Sequence, residues 1–283
     1  LLHRHADWSD RTCATRWQCG FGDGVPSTDI RYDAPWLRLC VGLDEDDPFR
    51  LAAENVLAPP GIKRCISTQT GEPMLVADFP LEGDHETAAG RIADACRAWA
   101  DAYASSATET TRATAAAEVH DGKIVGPLAE VARLSEWPRR RRTEGEVLFP
   151  LDADTEAVHA QLLATDTGAV LRTTPSAVPD SATSAEALCR LLLRCGFAIR
   201  MARPLAGPEG YAWDVAWATT PAARELRHAL SAMSVAVRMT RSETRFLTSE
   251  EIAESYLHCT IAFRPSLPQR AAASDSIQES DRV

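Results

Sequence analysis

The clearest hydrophobic pattern in the chain lies at residues 71–104, GEPMLVADFPLEGDHETAAGRIADACRAWADAYA. Leu75, Ala77 and Phe79 alternate onto one face and Met74 and Val76 onto the other, the period-two signature of a strand. Gly83 ends the run, and Asp84 is placed to accept the first free amide hydrogens of a following helix as its N-cap. Beyond it Ala89, Ile92, Ala93, Cys96, Trp99, Ala100 and Tyr103 recur at steps of three and four, which predicts an amphipathic helix about five turns long.

Upstream, PWLRLCVGL (35–43) alternates Trp36, Arg38 and Cys40 against Leu37, Leu39 and Val41 and reads as a strand. GIKRCIST (61–68) reads as another, joined to the 74–79 strand in a hairpin by the turn residues that follow it. Between the first two, DDPFRLAAENVLAPP predicts a short helix closed by Pro59 and Pro60. Downstream, GAVLRTT (168–174) predicts a strand, and SAEALCRLLLRC (184–195) a helix capped by Ser184 and stopped by Gly196. FAIRMARPL and YAWDVAWAT form a predicted hairpin around AGPEG, and PAARELRHALSAM starts a helix with Pro221 in its first turn. SVAVRMT (234–240) reads as a strand and SEEIAESYLHC as a last helix.

The pattern is that of an α+β protein, with antiparallel sheets packed against amphipathic helices. A local echo suggests two related units: FPLEGDHE begins at Phe79 and FPLDADTE at Phe149, each after a strand-like run and each leading into a helical pattern, the second through Val158, Leu162 and Leu163. The expected organisation is a first α+β unit over 1–104, a linker over 105–117 with no bulky apolar residue, a second unit over 118–265, and a polar, patternless tail over 266–283.

Composition narrows the function classes. The net charge is −10, from 40 acidic and 30 basic residues, which argues against a general nucleic-acid binder because such a protein needs a basic face. No apolar run approaches the roughly 20 residues that span a bilayer. The first residues lack the apolar segment of a signal peptide, and the eight cysteines contain no Cys-x-x-Cys pair, so a reduced, cytoplasmic protein is expected. Lys63 and Lys123 are the only lysines, which removes most candidate catalytic amines.

Each candidate site departs from its chemistry at a required position. His3, His5, Asp7, Cys13 and Cys19 are zinc-ligand types at a spacing that fits no common pattern. LDEDDPF lacks the Gly and terminal Glu of a calcium loop, and GFGDG (20–24) does not open a helix. PRRRR (138–142) is flanked by Glu136, Glu144 and Glu146 and reads as a solvated turn. VLFPLDADT resembles the strand and Asp-x-Asp of haloacid-dehalogenase-type phosphotransferases, which would make Asp152 the nucleophile and Asp154 the general acid. Yet the Gly of that motif is absent and no lysine follows Lys123, so a helix-capping role for these aspartates is the simpler reading. No cofactor and no metal site is expected.

The order strand, strand, Pro-Leu-acid-Gly and long amphipathic helix, clearest over residues 33–104, resembles the type III secretion chaperone-like domain shared by effector chaperones and the YbjN family. That resemblance implies a twisted antiparallel sheet packed on helices, with a sheet or helix face that pairs subunits or holds an extended client. The function expected is therefore a non-enzymatic protein-binding module, chaperone-like or regulatory, whose partner is a client protein or a second copy of the chain. Leu75, Ala77 and Phe79 are the candidate partner-binding residues, and the alternative is an enzyme with a dispersed site, such as a divergent Asp-dependent phosphohydrolase using Asp152 and Asp154.

Overall fold

A computed structural model describes residues 16–20, 27–33, 36–80, 90, 93, 96–101, 103, 127–138, 140–143, 146–151, 158–166 and 168–262. Two antiparallel sheets dominate it. In chain order the elements of the first half are β1 (Arg16–Cys19), β2 (Thr28–Asp33), β3 (Trp36–Gly42), α1 (Pro48–Glu54), β4 (Ile62–Ile66) and β5 (Pro73–Pro80), followed by helical residues 96–101. The second half has α2 (Pro127–Leu134), β6 (Arg140–Thr143), β7 (Glu146–Pro150), β8 (His159–Ala164), β9 (Ala169–Thr173), α3 (Ala182–Ala198), β10 (Arg203–Gly207), β11 (Gly210–Trp217), α4 (Ala223–Leu247) and α5 (Glu250–Ala262).

The first sheet has the order β1-β2-β3-β5-β4. Its period-two patterning sorts residues to two faces, as the sequence predicts. Leu37, Leu39, Val41, Ile62, Leu75 and Ala77 form one buried layer with Trp99 of the helical segment. Cys40, Cys65 and Val76 form the other, closed by Phe197 of α3. Between β3 and β4, α1 starts where Asp47 accepts a hydrogen bond from the Phe49 amide at 2.9 Å, with Pro48 in the first turn, where its missing N–H is no loss.

The second sheet has the order β10-β11-β9-β8-β7-β6. Read from its other edge this is the same topology: meandering strands, then a helix, then a hairpin inserted with its second strand innermost, then a helix. So β3, α1, β4, β5 and the 96–101 helix correspond to β9, α3, β10, β11 and α4. The two units are thus similar, but not along the echo that suggested them. Phe79 is the last residue but one of β5 and Phe149 lies in β7, strands in different places in the topology. The stretch after Phe149 does not become a helix: His159–Ala164 is β8, with Ala160 and Leu162 buried and the intervening residues only partly so, a period-two pattern.

Two further expectations are corrected. SVAVRMT (234–240) is not a strand but the middle of α4, whose buried residues Leu226, Ala229, Leu230, Met233, Ala236, Val237 and Thr240 keep steps of three and four. Packing on the sheet decides here against the β-branched composition of a short window. Gly196 does not stop α3, which runs to Ala198 and starts after Ser181 rather than Ser184. Gly196 is required instead for close approach, since a Cβ there would lie 2.8 Å from Pro204 Cδ and 3.4 Å from Cys65 Sγ. The 105–117 linker, the 266–283 tail and Asp84 lie outside the described residues, as do the amino-terminal His and Cys13 cluster and most of GFGDG.

Candidate functional site

The second layer of the first sheet carries a buried ion cluster. Asp78 on β5 faces Arg38 on β3 directly across the ladder, and Lys63 on β4 two residues along from that rung. Arg38 Nε and Nη2 donate to the two carboxylate oxygens at 2.6 and 3.1 Å, and Lys63 Nζ lies 2.9 Å from Oδ2. Burial alone would raise the Asp78 pKa; the fields of Lys63 and then Arg38, with their hydrogen bonds, overcome it and bring it down to about 2.

The cluster reaches into the other unit. Arg38 Nη1 donates to the Phe197 carbonyl at 2.7 Å, Lys63 Nζ donates to the carbonyls of Ile199 and Ala202, and the Met201 amide donates to Asp78 at 3.3 Å. Two cations therefore meet the negative end of α3 and satisfy carbonyls the helix cannot. Met201 is held at φ 64°, a conformation that disfavours side chains, by this anchoring.

The same cluster is built again in the second sheet. Asp214 on β11 faces Arg172 on β9 and Arg203 on β10 across the two ladders. Arg203 Nε and Nη2 both donate to Asp214, and Arg203 Nη1 donates to the Ala58 carbonyl at 2.6 Å, at the end of α1. Each unit's aspartate cluster thus grips the helix-to-strand corner of the other. Asn55, fully buried at the end of α1, completes the exchange. Its Nδ2 donates to the Arg64 and Pro204 carbonyls at 3.0 and 2.9 Å, and its Oδ1 accepts from the Arg64 amide at 2.6 Å. Leu51, Ala52 and Ile66 of one unit pack there on Cys189, Leu193 and Ala206 of the other. Such duplicated charge networks hold the halves in register, and their carboxylates and Lys63 are closed to solvent, Asp78, Lys63 and Asp214 being 3%, 1% and 0% exposed.

The accessible site lies beside them. A groove of about 520 Å³ opens between Trp36 at the start of β3, the 198–201 corner and the outer side of α4. Arg200 stacks over the Trp36 ring at 5.9 Å and His228 sits beside it at 6.1 Å between ring centroids. Arg224, Ser231, Ala232, Val235 and Met239 of α4 form the wall. Val235, Met239 and Phe246 recur at steps of four and seven on that helix and are 36%, 41% and 59% exposed, opposite the stripe that α4 buries. The helix carries Arg224, Arg227, Arg238, Arg241 and Arg245 against Glu225 and Glu243, a local excess of positive charge on a chain of net charge −10.

The residues picked out in the sequence stand elsewhere. Leu75 and Ala77 are 0% exposed beneath Trp99, and Phe79 is partly buried against the same layer. Their strand β5 is an interior one, between β3 and β4, so its backbone offers no free edge. Asp152 and Asp154 lie outside the described residues. Among the described residues, no group of three or more His, Cys, Asp or Glu side chains is placed to hold a metal ion, and no helix is long and apolar enough to cross a membrane. The groove escaped sequence reading because its walls come from residues about 190 positions apart; the signal that could have found it is the second apolar stripe on α4, which a strand assignment for 234–240 hides. No family model, curated protein or solved structure matches the chain.

Proposed function

We propose that this protein is a non-enzymatic, chaperone-like or regulatory binding module that engages an extended or helical segment of another protein along the outer face of α4. The observation that carries this reading is the exposed stripe Val235, Met239 and Phe246, on a helix that already buries an opposite stripe. Neither solubility nor folding requires three large apolar side chains in line on solvent, whereas helix-in-groove recognition uses this spacing of anchors. Arg238 and Arg245, exposed on the same helix, select a partner segment that alternates apolar anchors with acidic residues, and Trp36 with Arg200 supplies a pocket for a single large anchor. The resemblance of residues 33–104 to secretion-chaperone domains favours a polypeptide client on independent grounds. The α4 surface differs from the Leu75–Phe79 strand expected from the sequence, whose side chains pack into the core.

The test places a photo-crosslinking amino acid at Val235 and, as a control, at Ile252 of α5, which is 43% exposed and lies outside the groove. A partner captured at Val235 alone should bind the purified protein. That binding should weaken with salt and fall at least tenfold in Val235→Asp and Met239→Asp variants whose thermal unfolding is unchanged. Equal capture at both positions, or binding indifferent to both substitutions, would refute the assignment.

A further inference from the structure

The corner from α3 to β10 is built on an uncommon backbone turn. The Ala202 amide donates to the Arg200 carbonyl at 2.7 Å, and Met201 between them has φ 64°. A hydrogen bond closing three residues around a positive φ makes the γ-turn that is rare and strained, and a large side chain at its centre adds to the strain. In the other unit the connection from α1 to β4 places its positive φ, 79°, on Gly61, which adopts it at no steric cost. Residues held in such conformations gather at binding sites, where the surrounding structure over-determines them.

Here the over-determination comes from Lys63. Its Nζ donates to the carbonyls of Ile199 and Ala202, one on each side of Met201. Asp78, which holds that ammonium at 2.9 Å, also accepts from the Met201 amide at 3.3 Å. Ile199 and Ala202 are buried, so the turn is pinned at both ends, while Arg200 and Met201 between them stand half-buried in the wall of the α4 groove. Arg200 is the side chain that lies over Trp36. We propose that Lys63 is a positioning residue for this groove: from the first unit it clamps the strained turn of the second, and so sets Arg200 and Met201 where they complete the Trp36 pocket. This role rests on the groove being the partner site proposed above, and it makes the anchor pocket a property of the docked units and not of α4 alone.

The test labels the full chain with fluorotryptophan and follows the fluorine NMR signal of Trp36, assigned by its loss in Trp36→Phe. Lys63→Met removes the donor and leaves Asp78 paired with Arg38. It should shift the Trp36 signal in the wild-type background and leave it in place in a Met201→Gly background, because glycine keeps the positive φ without a clamp. Ile62→Val, which removes a methyl group from the opposite face of the same strand, should leave the signal where it is. A partner captured at Val235 should bind Lys63→Met at least tenfold more weakly. If Lys63→Met fails to fold, Met201→Val decides, since a β-branched side chain strongly disfavours the positive φ and should shift the signal by itself. A Trp36 signal unmoved by these variants, an equal shift with and without Met201→Gly, or undiminished partner binding by Lys63→Met would overturn the proposal. The expected shifts with no capture at Val235 even in wild type would refute the partner site while upholding the clamp.

Discussion

Replacing Asp78 by Asn keeps the shape of the side chain and removes the charge on which two buried cations depend. Lys63 is 1% exposed, and Arg38 is held by both carboxylate oxygens, so neither gains water in exchange. Breaking a buried pair from one side typically costs about 3–5 kcal/mol, because the remaining charge stays desolvated. The lowered pKa of Asp78 carries a second figure. The Asp78 pKa is lowered to about 2, and at about 1.4 kcal/mol for each unit this links roughly 2–3 kcal/mol of stability to its ionised form. Because the folded pKa lies below the unfolded one, that contribution is complete above about pH 4 and is lost as pH falls through about 2. Urea unfolding of wild type and Asp78→Asn between pH 7 and pH 2.5 should therefore show a gap widest at neutral pH that narrows in acid. A gap under about 1 kcal/mol at pH 7, or one that stays constant into acid, would show that the cluster is not an energetic unit.

Three other outcomes follow from the packing. Trp99→Ala should cost about 3–5 kcal/mol in chemical denaturation, because its fully buried ring fills the layer above Leu75 and Ala77. Gly196→Ala should lower the thermal midpoint, although alanine is the better helix former by about 1 kcal/mol, since the added methyl meets the Pro204 ring at 2.8 Å. Alkylation at pH 8 should reach Cys259 first among the described cysteines, while Cys40 and Cys65, buried and with thiol pKa values pushed up to about 12, should react only on unfolding.

The elements that sequence reading located were those whose pattern is local and strong. Trp36–Gly42, Ile62–Ile66 and Pro73–Pro80 have the alternation that a sheet buried on both faces imposes, and the short helix expected within DDPFRLAAENVLAPP is α1. What misled were windows too short to define a period. SVAVRMT looks extended until Leu226, Met233 and Thr240 are seen to share one helical stripe, and Gly196 looks like a stop until Pro204 is seen against it. The duplication was sensed through the wrong segments. Its true markers are Asp78 with Arg38 and Asp214 with Arg172, identical pairs in equivalent strands, each a lone charged residue within an apolar run and so easily passed over as a surface position. The groove required the third dimension, since Trp36 and Met239 line one space only once the two units are folded together.

The reciprocal grip of the two units has a consequence for how the molecule comes apart. Two separate copies joined through such corners would be held by mass action and would fall apart on dilution. Here both halves belong to one polypeptide, so their encounter is set by a tether of fixed length, at an effective concentration that no dilution changes. Covalent joining also frees the halves to diverge: the seven-residue α1 corresponds to the 17-residue α3, and the second cation on the aspartate is Lys63, two residues off the rung, in one unit and Arg203, on the rung, in the other. A symmetric pair would have to present any binding groove twice. This chain can dedicate one face to it, which predicts a single partner segment per molecule and an unfolding midpoint indifferent to protein concentration.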